Sequence, residues 1–170
     1  MFLTMSAART YSSGVADHTS TDAATIPGLL RAARGSYGHA IAAHLAAAGF
    51  EDVPRNGPFV LGGMVNQGVS ALEMTRGLDV SKQAASQLID TLVLRGYLTR
   101  QTNPQDRRRM LIELTERGRA AAAAIHAAVA EIDAELSRMV APEHLAGLRA
   151  GLTALAEIKE RNQRNQGAKS

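Results

Sequence analysis

Residues 70–118 read SALEMTRGLDVSKQAASQLIDTLVLRGYLTRQTNPQDRRRMLIELTERG. Ser70-Ala71-Leu72-Glu73 fits a capping box, in which Ser and a Glu three residues on satisfy each other's free amides, so a helix is predicted from Ala71 to about Gly77. Ser81 can cap a second helix. Its core-facing positions, Ala84, Leu88, Ile89, Leu92 and Val93, run to Arg95 before Gly96, a natural left-handed stop. Residues 76–81 are then the turn between the two helices. Residues 97–102 and 110–115 read as strands, with Met110, Ile112 and Leu114 alternating toward one face and Asn103-Pro104 opening the connecting turn. Two short helices followed by a hairpin tipped with Asp106, Arg107, Arg108 and Arg109 is the order of a winged helix-turn-helix.

The charge agrees with that reading. From Arg95 to Arg119 there are seven Arg against Asp106, Glu113 and Glu116, whereas the whole chain carries a net charge of only +3. Basicity focused in this way is the electrostatic footprint of a polyanion, since each phosphate neutralised releases a counterion. On the second helix, the apolar residues claim the buried face and leave Lys82, Gln83, Ser86 and Gln87 outside in the first two turns, where side chains of a recognition helix reach base edges. A solvated helix face would look similar, but no Glu or Asp falls between Ser81 and Asp90 to repel a phosphate. Arginine suits a narrow minor groove because its weakly hydrated guanidinium sheds water there, and Asp106 could hold one such fork in place.

Outward from this centre the chain reads as helices. Pro27 suits a helix start, and Leu30, Ala33, Tyr37, Ile41, Leu45 and Ala48 recur at spacings of three and four until Gly49. Phe59, Val60, Leu61, Met64 and Val65 follow Pro58 and stop at Gly68, as in a short buried helix. Inside it, Gly62-Gly63 costs roughly 2 kcal/mol relative to alanines. A closely packed backbone, a ligand or a break in the helix could offset that. Ile125, Val129, Ile132, Leu136 and Met139 mark a long helix after Gly118, and Leu145, Leu148, Leu152 and Leu155 mark another after Pro142. Such stripes are seams for helix packing, within the chain or with a second copy. The residues up to about Thr25 and from about Lys159 lack this rhythm and are expected to fray; Met5 is an alternative start.

The 170 residues suffice for one core-bearing domain, and few aromatics with much Ala and Leu favour packed helices. The absence of Cys excludes disulfides, Cys-ligated zinc and thiol redox sensing. The five His form no metal pair: His39 and His44 are five apart, and His18, His126 and His144 stand alone. No apolar run approaches the ~20 residues of a membrane span, and no signal architecture opens the chain, so a cytoplasmic protein is expected. No catalytic triad, metal box or phosphate loop is evident, since Gly62-Gly63 lacks the following Lys-Ser/Thr of a P-loop. An enzyme is not expected, nor is a cofactor.

The stretch from Leu72 through Arg100, and then Asn103-Pro104-Gln105-Asp106-Arg107-Arg108-Arg109 leading into Leu114-Thr115-Glu116-Arg117-Gly118, resembles the multiple antibiotic resistance regulator (MarR) family of bacterial repressors. The resemblance is close over residues 70–118, and the flanking helix layout from Pro27 to Ile158 fits it. It implies a two-fold dimer built from the first helix and the last two, with the winged domains as arms. It also implies that the Ser81 helix enters the major groove, that Asp106 orients Arg108, and that Arg108 reaches into the minor groove. Family ligands bind between the dimer helices and the DNA-binding lobe, here near the helix of Gly62 and Gly63. The cysteine of the peroxide-sensing branch and the tryptophan of urate-responsive members are absent.

The sequence thus predicts a mainly α fold with a small β-hairpin wing. Residues 54–118 would form the winged helix-turn-helix, 26–53 and 119–160 the helical dimerisation region, and 1–25 and 161–170 disordered tails. The expected partners are double-stranded DNA, a second copy of the chain and a small-molecule effector, and no membrane. Ser70, Ser81, Lys82, Gln83, Ser86, Gln87, Asp106, Arg107, Arg108 and Arg109 are the candidate DNA contacts, with Ser70, Arg107 and Arg109 on backbone phosphates. Tyr37, Ile41, Phe59, Gly62 and Gly63 are the candidate ligand pocket. The rival reading is a winged-helix module that docks on proteins without reading DNA sequence.

Overall fold

The computed structural model describes residues 24–67, 78, 80–102 and 110–167. Helix α1 spans Ile26–Ala47. The Thr25 hydroxyl caps it by accepting from the Gly28 amide at 3.3 Å, and Pro27 sits in the first turn, where its missing N–H costs no hydrogen bond. The chain divides into two compact units at Arg34, within α1. In the first unit the apolar residues Ile26, Leu29 and Leu30 are exposed.

The second unit, from Gly35 onward, holds the core. The remaining turns of α1 contribute buried Leu45 and half-buried Ile41, and the helix closes at Gly49, whose φ of 77° is the left-handed conformation a glycine adopts without strain. Helix α2 is Gly57–Gln67, helix α3 is Lys82–Leu94, and strands β1 (Leu98–Thr102) and β2 (Met110–Leu114) pair antiparallel with Leu98 opposite Leu114. Helix α4 is Glu116–Met139 and helix α5 is Pro142–Gly167. Val60 and Leu61 of α2, Ile89 and Leu92 of α3, Tyr97, Leu98, and Ala121, Ala122 and Ile125 of α4 fill one continuous core with Leu45. Each large aliphatic side chain buried there contributes roughly 1.5–3 kcal/mol. The architecture is mainly α with a two-stranded hairpin, as the sequence predicts.

Close approach of α2 and α4 accounts for Gly62, the first of the paired glycines. A Cβ on Gly62 would lie 3.2 Å from Ile125 Cγ2, and the Gly62 carbonyl sits 2.8 Å from His126 Nε2. A carbonyl only accepts, so Nε2 carries the proton. Small Ala121 and Ala122, buried on α4, allow the same proximity.

Three details depart from the sequence reading. On α3 the deeply buried alanine is Ala85, with Ala84 only half-buried, so the core stripe is rotated by one residue at its start. On α4 the apolar stripe is buried only in its first half: Ile125 is in the core, Val129, Ile132 and Leu136 are half-buried, and Met139 is 77 % exposed. Helix α5 runs to Gly167, past Lys159 where fraying is expected and into the predicted tail at 161–170. The good helix formers there, with Glu157 and Arg161 and then Glu160 and Arg164 four apart, suit a helix although they bury nothing.

Candidate nucleic-acid interface

Helix α3 starts where its cap dictates. Ser81 has extended backbone (φ −61°, ψ 154°), and its hydroxyl oxygen accepts from the Ala84 amide at 3.1 Å. The helix ends at Arg95, followed by Gly96 at φ 73°. With Ala85, Ile89 and Leu92 turned to the core, Ser81, Lys82, Gln83, Ser86 and Gln87 are all exposed. These five residues form a continuous polar surface over the first two turns of a helix about 20 Å long.

Asp90 lies one turn further along that surface. Arg100 of β1 donates to its carboxylate through Nη2, so the acidic group is neutralised by the hairpin. Such an exposed ion pair adds little stability, but it removes a repulsive charge from the polar face.

The stem of the hairpin is locked by Thr115. Its hydroxyl donates to the Gly96 carbonyl at 2.6 Å, its amide donates to the Tyr97 carbonyl at 3.0 Å, and its hydroxyl oxygen accepts from the Gly118 amide at 3.0 Å, which caps α4. One residue therefore ends the wing and begins the next helix.

Beside this root lies a cluster that sequence reasoning missed. The Tyr97 ring is fully buried, and its hydroxyl donates to Asp52 Oδ1 in the loop after α1. Arg117, in the first turn of α4, donates through Nη2 to Asp52 Oδ1 at 2.8 Å and to the Tyr97 hydroxyl at 3.1 Å. Its guanidinium lies 4.7 Å from the Tyr97 ring centre and 5.6 Å from that of Phe50, and the two rings meet edge to face. Arg95 donates through Nη1 to the Asp52 carbonyl. The Tyr97 hydrogen bond, followed by Arg117, holds the Asp52 carboxyl below the usual carboxylate range. Burial, then the Asp52 contact, pushes the Tyr97 phenol up, and the Tyr97 contact raises Arg117.

Of the predicted DNA contacts, Ser70, Asp106, Arg107, Arg108 and Arg109 lie outside the described residues, as does the predicted capping box at 70–73. Of the candidate pocket, Tyr37 donates to Asp133 Oδ1 of α4 at 2.5 Å, with Ile41 one turn on and half-buried. Gly62 packs on α4 at Ile125 and His126, roughly 10 Å along the helix from Asp133. Gly63 is half-buried, and Phe59 is exposed rather than turned inward. Among the described residues no group of three His, Asp or Glu gathers that could hold a metal.

A polar-faced helix followed by a hairpin and locked to it is the lobe the sequence predicts, and residues 53–109 match the MarR family. The match covers 57 of the 170 residues, so it is this lobe that is similar to the MarR family. The S. aureus MepR–DNA complex is similar over 81 % of this chain and 98 % of that one, at a TM-score of 0.64 and 19 % identity. CouR from Rhodococcus jostii RHA1 bound to p-coumaroyl-CoA covers 79 % and 93 %, at 0.62 and 23 %. RV1404 from Mycobacterium tuberculosis covers 79 % and 90 %, at 0.58 and 26 %. At such identities the first two likenesses are of fold. No curated protein matches the sequence. Among the described residues, no helix is long and apolar enough to cross a membrane.

Proposed function

We propose that this chain is a MarR-family regulator: a homodimeric, sequence-specific repressor that occupies a pseudo-palindromic operator in the bacterial cytoplasm, excludes polymerase, and is released by a small molecule. The observation that carries the proposal is the α3 surface: Ser81, Lys82, Gln83, Ser86 and Gln87 are exposed together over a helix whose opposite side is fixed in the core. Lys82, Gln83, Ser86 and Gln87 read base edges, Arg108 enters the minor groove with Asp106 orienting it, and Ser70, Arg107 and Arg109 hold phosphates. The Ser81 hydroxyl oxygen is engaged as a cap acceptor, which leaves its proton free to donate to a phosphate.

Dimerisation is supported by the apolar row Leu148, Leu152, Leu155 and Ile158, which is exposed along α5. Release by a ligand draws support from the fold shared with CouR, solved with p-coumaroyl-CoA, and from the polar Tyr37–Asp133 pair on α4, two turns beyond the Gly62 contact. A ligand wedged there, touching Tyr37, Ile41, Phe59, Gly62 or Gly63, would alter how α2 and α1 seat on α4.

The test is selection of duplexes from a random library by the purified protein, followed by titration at fixed salt. The expected result is a two-fold symmetric motif bound at least ~10³ more tightly than random duplex. Arg108→Ala should weaken it by about 1–3 kcal/mol while leaving the fold intact. Affinity that shows no sequence preference, and vanishes at physiological salt, would instead establish the protein-docking module.

A further inference from the structure

The loop after α1 is gripped from both ends of the hairpin. Arg95 and Tyr97 precede β1, Arg117 follows β2, and all three converge on Asp52, the first two through its carbonyl and carboxylate respectively and the third through the same carboxylate oxygen as Tyr97. Core packing alone does not require this arrangement. The Tyr97 ring is already fully buried, yet its hydroxyl is directed outward to a half-exposed carboxylate, and the half-exposed Arg117 lies against the faces of Tyr97 and Phe50 while bonded to that same carboxylate. Because Thr115 ties Gly96 and Tyr97 to the start of α4, a shift of the Asp52 loop is felt at both strand ends at once.

We propose that Asp52, with Tyr97 and Arg117, is a positioning set for DNA binding: it fixes the angle of the wing against the end of α1, and so sets whether the hairpin can enter the groove beside the one that α3 occupies. The inference rests on the DNA-reading function proposed above. It differs from a stabilising role in one respect. Loosening the set releases the hairpin while α3, held by Ala85, Ile89 and Leu92, keeps its place. Base contacts in the major groove therefore survive when minor-groove contacts fail.

The experiment uses the full chain and the duplex it selects from a random library. Parent, Asp52→Ala, Asp52→Asn and Tyr97→Phe are compared by guanine N7 methylation protection for the major groove and hydroxyl-radical protection for the minor groove, at concentrations matched by folded fraction. Asp52→Ala and Tyr97→Phe should retain N7 protection, lose the flanking minor-groove protection, and bind about tenfold more weakly. Asp52→Asn, which still accepts from both partners, should restore most of the minor-groove signal. Should Asp52→Ala fail to fold, Tyr97→Phe, which keeps the buried ring, carries the comparison. Protection falling equally in both grooves, or unchanged in both, overturns the positioning role and leaves the DNA-reading function intact. A parent protein that selects no duplex overturns that function, and this inference with it.

Discussion

At Gly118 a Cβ would stand 2.0 Å from the Tyr97 carbonyl oxygen, a backbone atom already engaged with Thr115 and therefore unable to yield. Gly118→Ala is expected to cost about 3 kcal/mol, seen as a lower urea midpoint at unchanged slope. At Gly62 the added methyl would be 3.2 Å from a single side-chain atom of Ile125, and alanine's helix propensity offsets the crowding, so Gly62→Ala should shift stability by less than about 1 kcal/mol. The sequence draws attention to the second glycine and hides the first, because a helix-interior pair violates a local rule while Gly118 is constrained by a residue 21 positions away. The Asp52–Tyr97–Arg117 cluster was hidden for the same reason. It also makes stability depend on pH at both extremes. Asp52 is depressed when folded, so its contribution is present above the ordinary carboxylate value, about 3.9, and is lost as the pH falls through its folded value. Tyr97 is raised, so its neutral form contributes below about 10 and that contribution is lost as the pH rises further. Urea midpoints across pH should show both shoulders. Tyr97→Phe should reduce the alkaline one without abolishing it, since Tyr37 is raised by its bond to Asp133. An alkaline shoulder untouched by Tyr97→Phe would assign it elsewhere.

Among the elements, α3 and the hairpin were legible because each carries its own punctuation: a Ser cap and a left-handed Gly for the helix, alternation for the strands. The one-residue rotation of the α3 stripe was not. Ala84 and Ala85 are chemically alike, and the choice falls to the elements packed against them. The two caps should differ in weight. Ser81→Ala removes one acceptor at an exposed helix end and should cost about 1 kcal/mol. Thr115→Ala removes the cap of α4 and the hydroxyl donor to the Gly96 carbonyl together, and should cost about 2 kcal/mol, with Thr115→Ser recovering most of it. Thermal melts of the three variants check the order; equal losses at Ser81 and Thr115 would show that the tie to Gly96 contributes nothing.

At the scale of the whole molecule, the chain exposes more ordered apolar surface than a monomer needs. Leu148, Leu152 and Leu155 recur at spacings of four and three along α5, followed by Ile158, and every one is more than 40 % exposed. The sequence already showed this stripe as a seam without saying what meets it. In the described fold, α5 contributes nothing to the buried core, so its partner is supplied by a second copy in the proposed dimer. A charge placed mid-seam is costly when that surface is buried and nearly neutral when it is not. Leu152→Glu should therefore leave helical content by circular dichroism at the parent level while sedimentation equilibrium falls from the mass of two chains to that of one, 18.0 kDa. If the proposed dimer grips a two-fold operator with two α3 surfaces, the same variant should lose operator affinity far more steeply than any single base-contact variant, by the avidity of the second arm. A parent protein that sediments as one chain, or a Leu152→Glu variant that still dimerises and binds at full strength, would place the dimer seam on another face.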